Sequence, residues 1–139
     1  MTEAFTAETT IDRPVDAVWA RLVDWDSAAQ WMSGVETLRA KGPTATGTTM
    51  IFTARGKEHI GQITALDHGR SITLRSVQGG VTADYVYECA QHSEGTLVRL
   101  VANCQMTGPV RLLGPVISFA IRRADGRQLD AFAATFAPL

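Results

Sequence analysis

The sequence predicts an α+β fold: a curved antiparallel sheet of about seven strands, two short helices after the first strand, and a long C-terminal helix across the concave face. Three observations carry this expectation. A period-two alternation of apolar and polar residues returns at short intervals from residue 35 to residue 106. Gly, Asp or Pro stands at each corner between these stretches, so successive strands turn back and pair antiparallel. Finally, Ile117, Ile121, Ala124, Gln128 and Phe132 recur at helical spacing in one stretch, Gly114 to Phe136.

In chain order, Glu3 to Ile11 alternates, with Phe5, Ala7, Thr9 and Ile11 on one side, and Asp12-Arg13-Pro14 stops it. Pro14 and Asp16 favour a helix start, and Val15, Val18, Trp19 and Leu22 supply its apolar face. Asp26 is read as the N-cap of a second short helix reaching Met32, ended by Ser33-Gly34. Six strands follow: Val35 to Lys41, Thr48 to Arg55, Glu58 to Leu66, Ser71 to Val77, Thr82 to Ala90 and Thr96 to Met106. Pro115 suits the first turn of the closing helix, which would be about 33 Å long if regular throughout.

Composition narrows the function classes. A chain of 139 residues with 45% hydrophobic and 19% charged residues is expected to form one domain without a metal or disulfide. A net charge of −1 argues against a general nucleic-acid binder. The opening MTEAFTAETT has no apolar core and is not read as a secretory signal, and the apolar run Leu112 to Ile121 is about half a membrane span. The cytoplasm is the expected location. Centring the last hairpin on Ser93-Glu94 puts Cys89 opposite Val98 and Cys104 opposite Ala83, too far apart to bridge, so free thiols are expected.

Strand parity selects the inward side chains. Tyr85 and Tyr87 go with Ala83 and Cys89; Val98, Leu100, Ala102 and Cys104 face them, with Met50, Phe52 and Ala54, and Ile72, Leu74 and Ser76, on the neighbouring strands. Leu113, Ile117, Ile121 and Ala124 are the expected helix contribution. These residues make either a solid core or the wall of a pocket. Tyr85 and Tyr87 each pair a ring with a hydroxyl that needs a partner when buried. His59 shares the inward parity but adjoins the Gly56-Lys57 turn, and Trp31 either covers a ligand or caps the core. Three scattered histidines without carboxylates at fixed spacing do not suggest a metal site, and no nucleophile elbow or phosphate loop is present. Arg122/Asp125 and Arg127/Asp130 have the i,i+3 spacing of exposed ion pairs. The run Leu112, Leu113, Val116, Ile117, Phe119, Ile121 covers more than one helix face, so a dimer or partner contact is expected near Val116 and Phe119.

Three segments carry a resemblance: TTIDRPVDAVWARLVDWDSAAQWMSGV (Thr9 to Val35), ADYVYECAQHSEGTLVRLVAN (Ala83 to Asn103) and GPVRLLGPVISFAIRRADGRQLDAFAATFA (Gly108 to Ala137). Together they resemble the START-like (SRPBCC) superfamily with its helix-grip fold, in the polyketide cyclase/dehydrase and lipid transport branch. The resemblance covers essentially the whole chain and supplies no catalytic signature. It implies a deep, mostly apolar cavity between sheet and helix that takes a small hydrophobic ligand. Members include cyclases, carriers and sensors, and small relatives assigned as toxins of toxin–antitoxin pairs. On that basis the expected ligand-binding residues are Trp31, Met50, Phe52, His59, Leu74, Tyr85, Tyr87, Leu100, Leu113, Ile117 and Ile121, with no cofactor and no catalytic residue assigned.

Overall fold

The computed structural model describes residues 1–136. Seven strands, β1 (Thr2–Ile11), β2 (Thr37–Ala40), β3 (Thr49–Ala54), β4 (Lys57–Asp67), β5 (Ser71–Gln78), β6 (Val81–His92) and β7 (Gly95–Met106), form one antiparallel sheet in the order β1-β7-β6-β5-β4-β3-β2. The architecture is the expected helix-grip α+β fold. Helix α1 (Val15–Leu22) and a 3₁₀ segment (Trp25–Gln30) follow β1, and α2 (Gly114–Asp125) and α3 (Gln128–Ala134) close the chain. The last hairpin has the register the turn residues imply, Cys89 opposite Val98 and Cys104 opposite Ala83, and both thiols are free and buried.

The closing helix departs from the regular rod expected over Gly114 to Phe136. It is interrupted at Gly126-Arg127, where Arg127 leaves helical values at φ −109°, ψ 12°. Gly126 still donates to the Arg122 carbonyl at 2.8 Å, and a Cβ there would stand 2.5 Å from that oxygen. Only a glycine tolerates that approach, so the break is built into the residue type. The two parts are buried unequally. Gln128, Leu129 and Phe132 of α3 are buried, whereas no residue of α2 is.

Helix α3 covers a buried aromatic cluster. The Phe132 ring meets Trp31 edge-on at 4.9 Å and Phe136 at 5.5 Å, and Trp31 meets Tyr87 at 5.8 Å. Such edge-to-face pairs add to area burial. Arg21 of α1 donates to the Thr135 carbonyl and lies over the Phe136 ring, which clamps the chain's closing turn to α1. Val18, Leu22, Val98 and Leu100 complete this centre at essentially zero exposure.

Three local expectations need correction. Asp26 lies inside the 3₁₀ segment, whose flanking residue is Asp24, and no side chain caps it. Arg122 and Asp125 do not pair: Arg122 donates to the Ala4 carbonyl, and Asp125 is held by neutral donors. Among the described residues the ion pairs are Arg75–Asp84 at 2.7 Å and the exposed Arg39–Glu58, so Arg127–Asp130 is absent too. Leu113, expected to face inward, is 54% exposed.

Candidate functional site

A cavity of about 490 Å³ lies between the β3–β6 part of the sheet and the junction of α2 and α3. That volume is in the ordinary range for small-molecule sites, about 300–1,000 Å³. Small residues among the larger ones of its wall leave room for it. Ala54, Gly61 and Ser76 contribute little or no side chain. Gly61 cannot be enlarged cheaply, since a Cβ would stand 2.8 Å from the Arg75 carbonyl oxygen. Met32, Val35, Leu38, Met50, Phe52 and Leu74 supply the apolar lining. Ser33, Gly34, Arg55 and Gln78 are exposed lining residues and form the rim.

Four polar side chains form a connected cluster on this wall. The Tyr85 hydroxyl donates to Asp125 Oδ2 at 2.7 Å. Gln128 Nε2 donates to Asp125 Oδ1 at 3.2 Å, and the Tyr87 hydroxyl donates to Gln128 Oε1 at 2.6 Å. The interruption at Gly126-Arg127 sits between the two helix members of the cluster. Burial pushes the Asp125 carboxyl above its usual range, partly offset by the Tyr85 and Gln128 hydrogen bonds. Burial, then the Asp125 charge, pushes both phenols well above theirs. A carboxylate buried without a cation lowers stability, and such groups concentrate at functional sites.

Of the residues expected from the sequence, Met50, Phe52, Leu74, Tyr85 and Tyr87 line this cavity. Trp31 lies behind the wall, buried against Tyr87 and Phe132, with its indole N–H lacking a partner among the described residues. His59 stacks on Phe52 at 5.2 Å without reaching the void. Leu100 is in the solid core. Leu113, Ile117 and Ile121 are off the wall; Leu113 is exposed, and Ile121 packs against the core. In their place the helix presents Ala124, Asp125 and Gln128. The signal for Gln128 was available: it is the one polar residue in the apolar series Ile117, Ile121, Ala124, Gln128, Phe132. Asp125 carried no such mark, because its spacing from Arg122 suggested a surface pair.

Among the described residues no group of three His, Cys, Asp or Glu side chains could hold a metal, and no helix is long and apolar enough to cross a membrane.

Known proteins agree with this architecture. Similar solved structures include TTHA0849 from Thermus thermophilus, with TM-score 0.72, 19% identity and 93% of each chain covered. The Zhui aromatase/cyclase from Streptomyces sp. R1128 gives TM-score 0.72 at 16% identity, covering 94% of this chain and 91% of that one. Ara h 8.0201 gives 0.69 at 16% identity, covering 94% and 95%. At these identities the likeness is one of fold. No curated protein matches the chain at the level of sequence. The family model described as polyketide cyclase / dehydrase and lipid transport matches residues 2–137, and the chain belongs to that family.

Proposed function

We propose that the protein binds a small hydrophobic or amphipathic molecule, lipid- or polyketide-like, in the cavity between sheet and closing helix, and that it acts in the cytoplasm. One observation carries the reading: a void of about 490 Å³ with a mainly apolar wall that bears the Tyr85–Asp125–Gln128–Tyr87 cluster. Burial of the guest's apolar surface would supply affinity at about 25 cal/mol per Å², less the cost of ordering it. Met50, Phe52 and Leu74 would grip the apolar body, while Tyr85 and Tyr87 would orient it. Native mass spectrometry of protein purified from its own host tests this. A co-purifying small molecule supports the reading; an apo protein that also takes up no apolar fluorescent probe refutes it.

A cyclase/dehydrase-type activity is the second reading, favoured by the Tyr85–Asp125 pair on the wall of the void. A preorganised cavity would hold a flexible polyketide in a reactive conformer, and the pair would handle protons. Turnover of a polyketide model substrate that is lost in Asp125→Asn would separate an enzyme from a carrier.

The exposed residues Leu112, Leu113, Val116 and Phe119 favour a contact surface as well, for a second copy or for a protein partner such as an antitoxin. Sedimentation at high concentration checks the dimer form of that reading, and a strictly monomeric protein rules it out.

A further inference from the structure

The direction of the hydrogen bonds in the polar cluster restricts the guest's chemistry. Both phenol protons of the cluster and one of the two Gln128 amide protons are already committed within the protein. The Tyr85 proton goes to Asp125, the Tyr87 proton to Gln128, and one Gln128 amide proton to Asp125. Apart from the second Gln128 amide proton, a neutral donor, what remains is acceptor capacity. An ionised carboxylate offers about four lone-pair positions, and only two are occupied here. The Tyr85 oxygen also keeps its own.

The charges nearby reinforce this. Among the described residues, both partners of Asp125 are neutral. Arg75, whose residue also lines the cavity, is held by Asp84 through two hydrogen bonds of 2.7 and 2.8 Å. Arg122 is turned to the Ala4 carbonyl, and Arg55 lies at the exposed rim. A negative guest reaching the inner wall would therefore meet a carboxylate and the oxygen of a phenol whose proton is already given away. A neutral donor would gain a charge-assisted hydrogen bond instead.

We propose that the guest presents a hydrogen-bond donor, a phenol, alcohol or amine, to the Asp125–Tyr85 end of the cavity, and that carboxylates and phosphates are rejected there. The inference rests on the binding function proposed above.

Three competitors that share one ring system test it on the wild-type protein: naphthalene, 2-naphthol and 2-naphthoate, each displacing 1-aminoanthracene as fluorescent reporter. The expected order is 2-naphthol about ten-fold or more tighter than naphthalene, one charge-assisted bond's worth, and 2-naphthoate weakest. Equal affinities for 2-naphthol and naphthalene, or tighter binding of 2-naphthoate, overturn the proposal. No binding by the reporter or any competitor overturns the cavity reading beneath it. Asp125→Asn adds a second arm. Its amide can accept from Gln128 and donate to the Tyr85 oxygen, which frees the phenol proton to face the guest. The ratio of 2-naphthol to 2-naphthoate affinity should then fall about ten-fold or more, with naphthalene in the same folded variant as the reference. An unchanged ratio in Asp125→Asn refutes the assignment to this carboxylate.

Discussion

Removing the Tyr87 hydroxyl separates a dry hydrogen bond from a wet one. Tyr87 is 2% exposed, and Gln128, which accepts its proton at 2.6 Å, is 5% exposed. Tyr87→Phe keeps the ring against Trp31 but leaves Gln128 Oε1 without its donor. An acceptor stranded in a buried site costs about 1–3 kcal/mol. For a chain of this length each kcal/mol is worth about 4 °C in Tm, so a fall of roughly 4–12 °C is expected. Tyr85 provides the contrast. Both tyrosines line the cavity, but Tyr85 is only half-buried, and water can replace its hydroxyl as a donor to Asp125. Tyr85→Phe should therefore cost under about 1 kcal/mol. Urea unfolding of both variants and the double variant, followed by tryptophan fluorescence, gives the two costs and their coupling. If Tyr87→Phe is neutral, or costs no more than Tyr85→Phe, the inner half of the cluster is not sequestered as described.

Three further outcomes follow from the same geometry. Tyr85 and Tyr87 are the only tyrosines of the chain, and burial raises both phenols far above their ordinary 10.0. The folded protein thus holds protons that the unfolded chain releases above about pH 10, so stability should fall as pH rises past that value. Absorbance at 295 nm should show both phenolates appearing together with unfolding; a phenol titrating near pH 10 in folded protein contradicts this. Gly126→Ala, which would stabilise an ordinary exposed helix by about 1 kcal/mol, should here destabilise, because its Cβ meets the Arg122 carbonyl oxygen at 2.5 Å. Thermal melting decides the sign. Burial pushes the Cys89 thiol up to about 11, so alkylation by iodoacetamide at pH 8 should be slow in native protein and fast in urea.

The sheet was legible because strand chemistry is local. Alternation set the faces, and Gly or Asp at the corners set the pairing, down to Cys104 opposite Ala83. The aromatic and aliphatic wall was legible for the same reason, since the parity of Tyr85 and Tyr87 extends across hydrogen-bonded neighbours to Leu74 and Met50. The helix contribution was not. Apolar spacing identifies a helix face, but not how far along the helix the contact runs. Leu113, Ile117 and Ile121 share spacing with Phe132, yet only the end carrying Phe132 contributes fully buried residues, while Ile121 packs against the core partly exposed. Gly126 was visible as a letter; that it marks a break depends on the Arg122 carbonyl behind it. Asp125 was hidden by ambiguity, because an acid three residues after an arginine describes a surface pair as well as a cavity carboxylate. Its partner Tyr85 is 40 residues away in sequence.

On this geometry the space between sheet and helix should admit an apolar guest. Ser76 points into that space from β5, opposite Gly61, so a phenyl ring at this position should occupy the void. Titration of 1-aminoanthracene into wild-type protein and Ser76→Phe, read by its fluorescence, tests whether a guest enters this space. Saturable, blue-shifted binding to the wild type that is abolished in a folded Ser76→Phe is the expected result. No binding to the wild type, or equal binding to both proteins, would mean that no guest occupies this void.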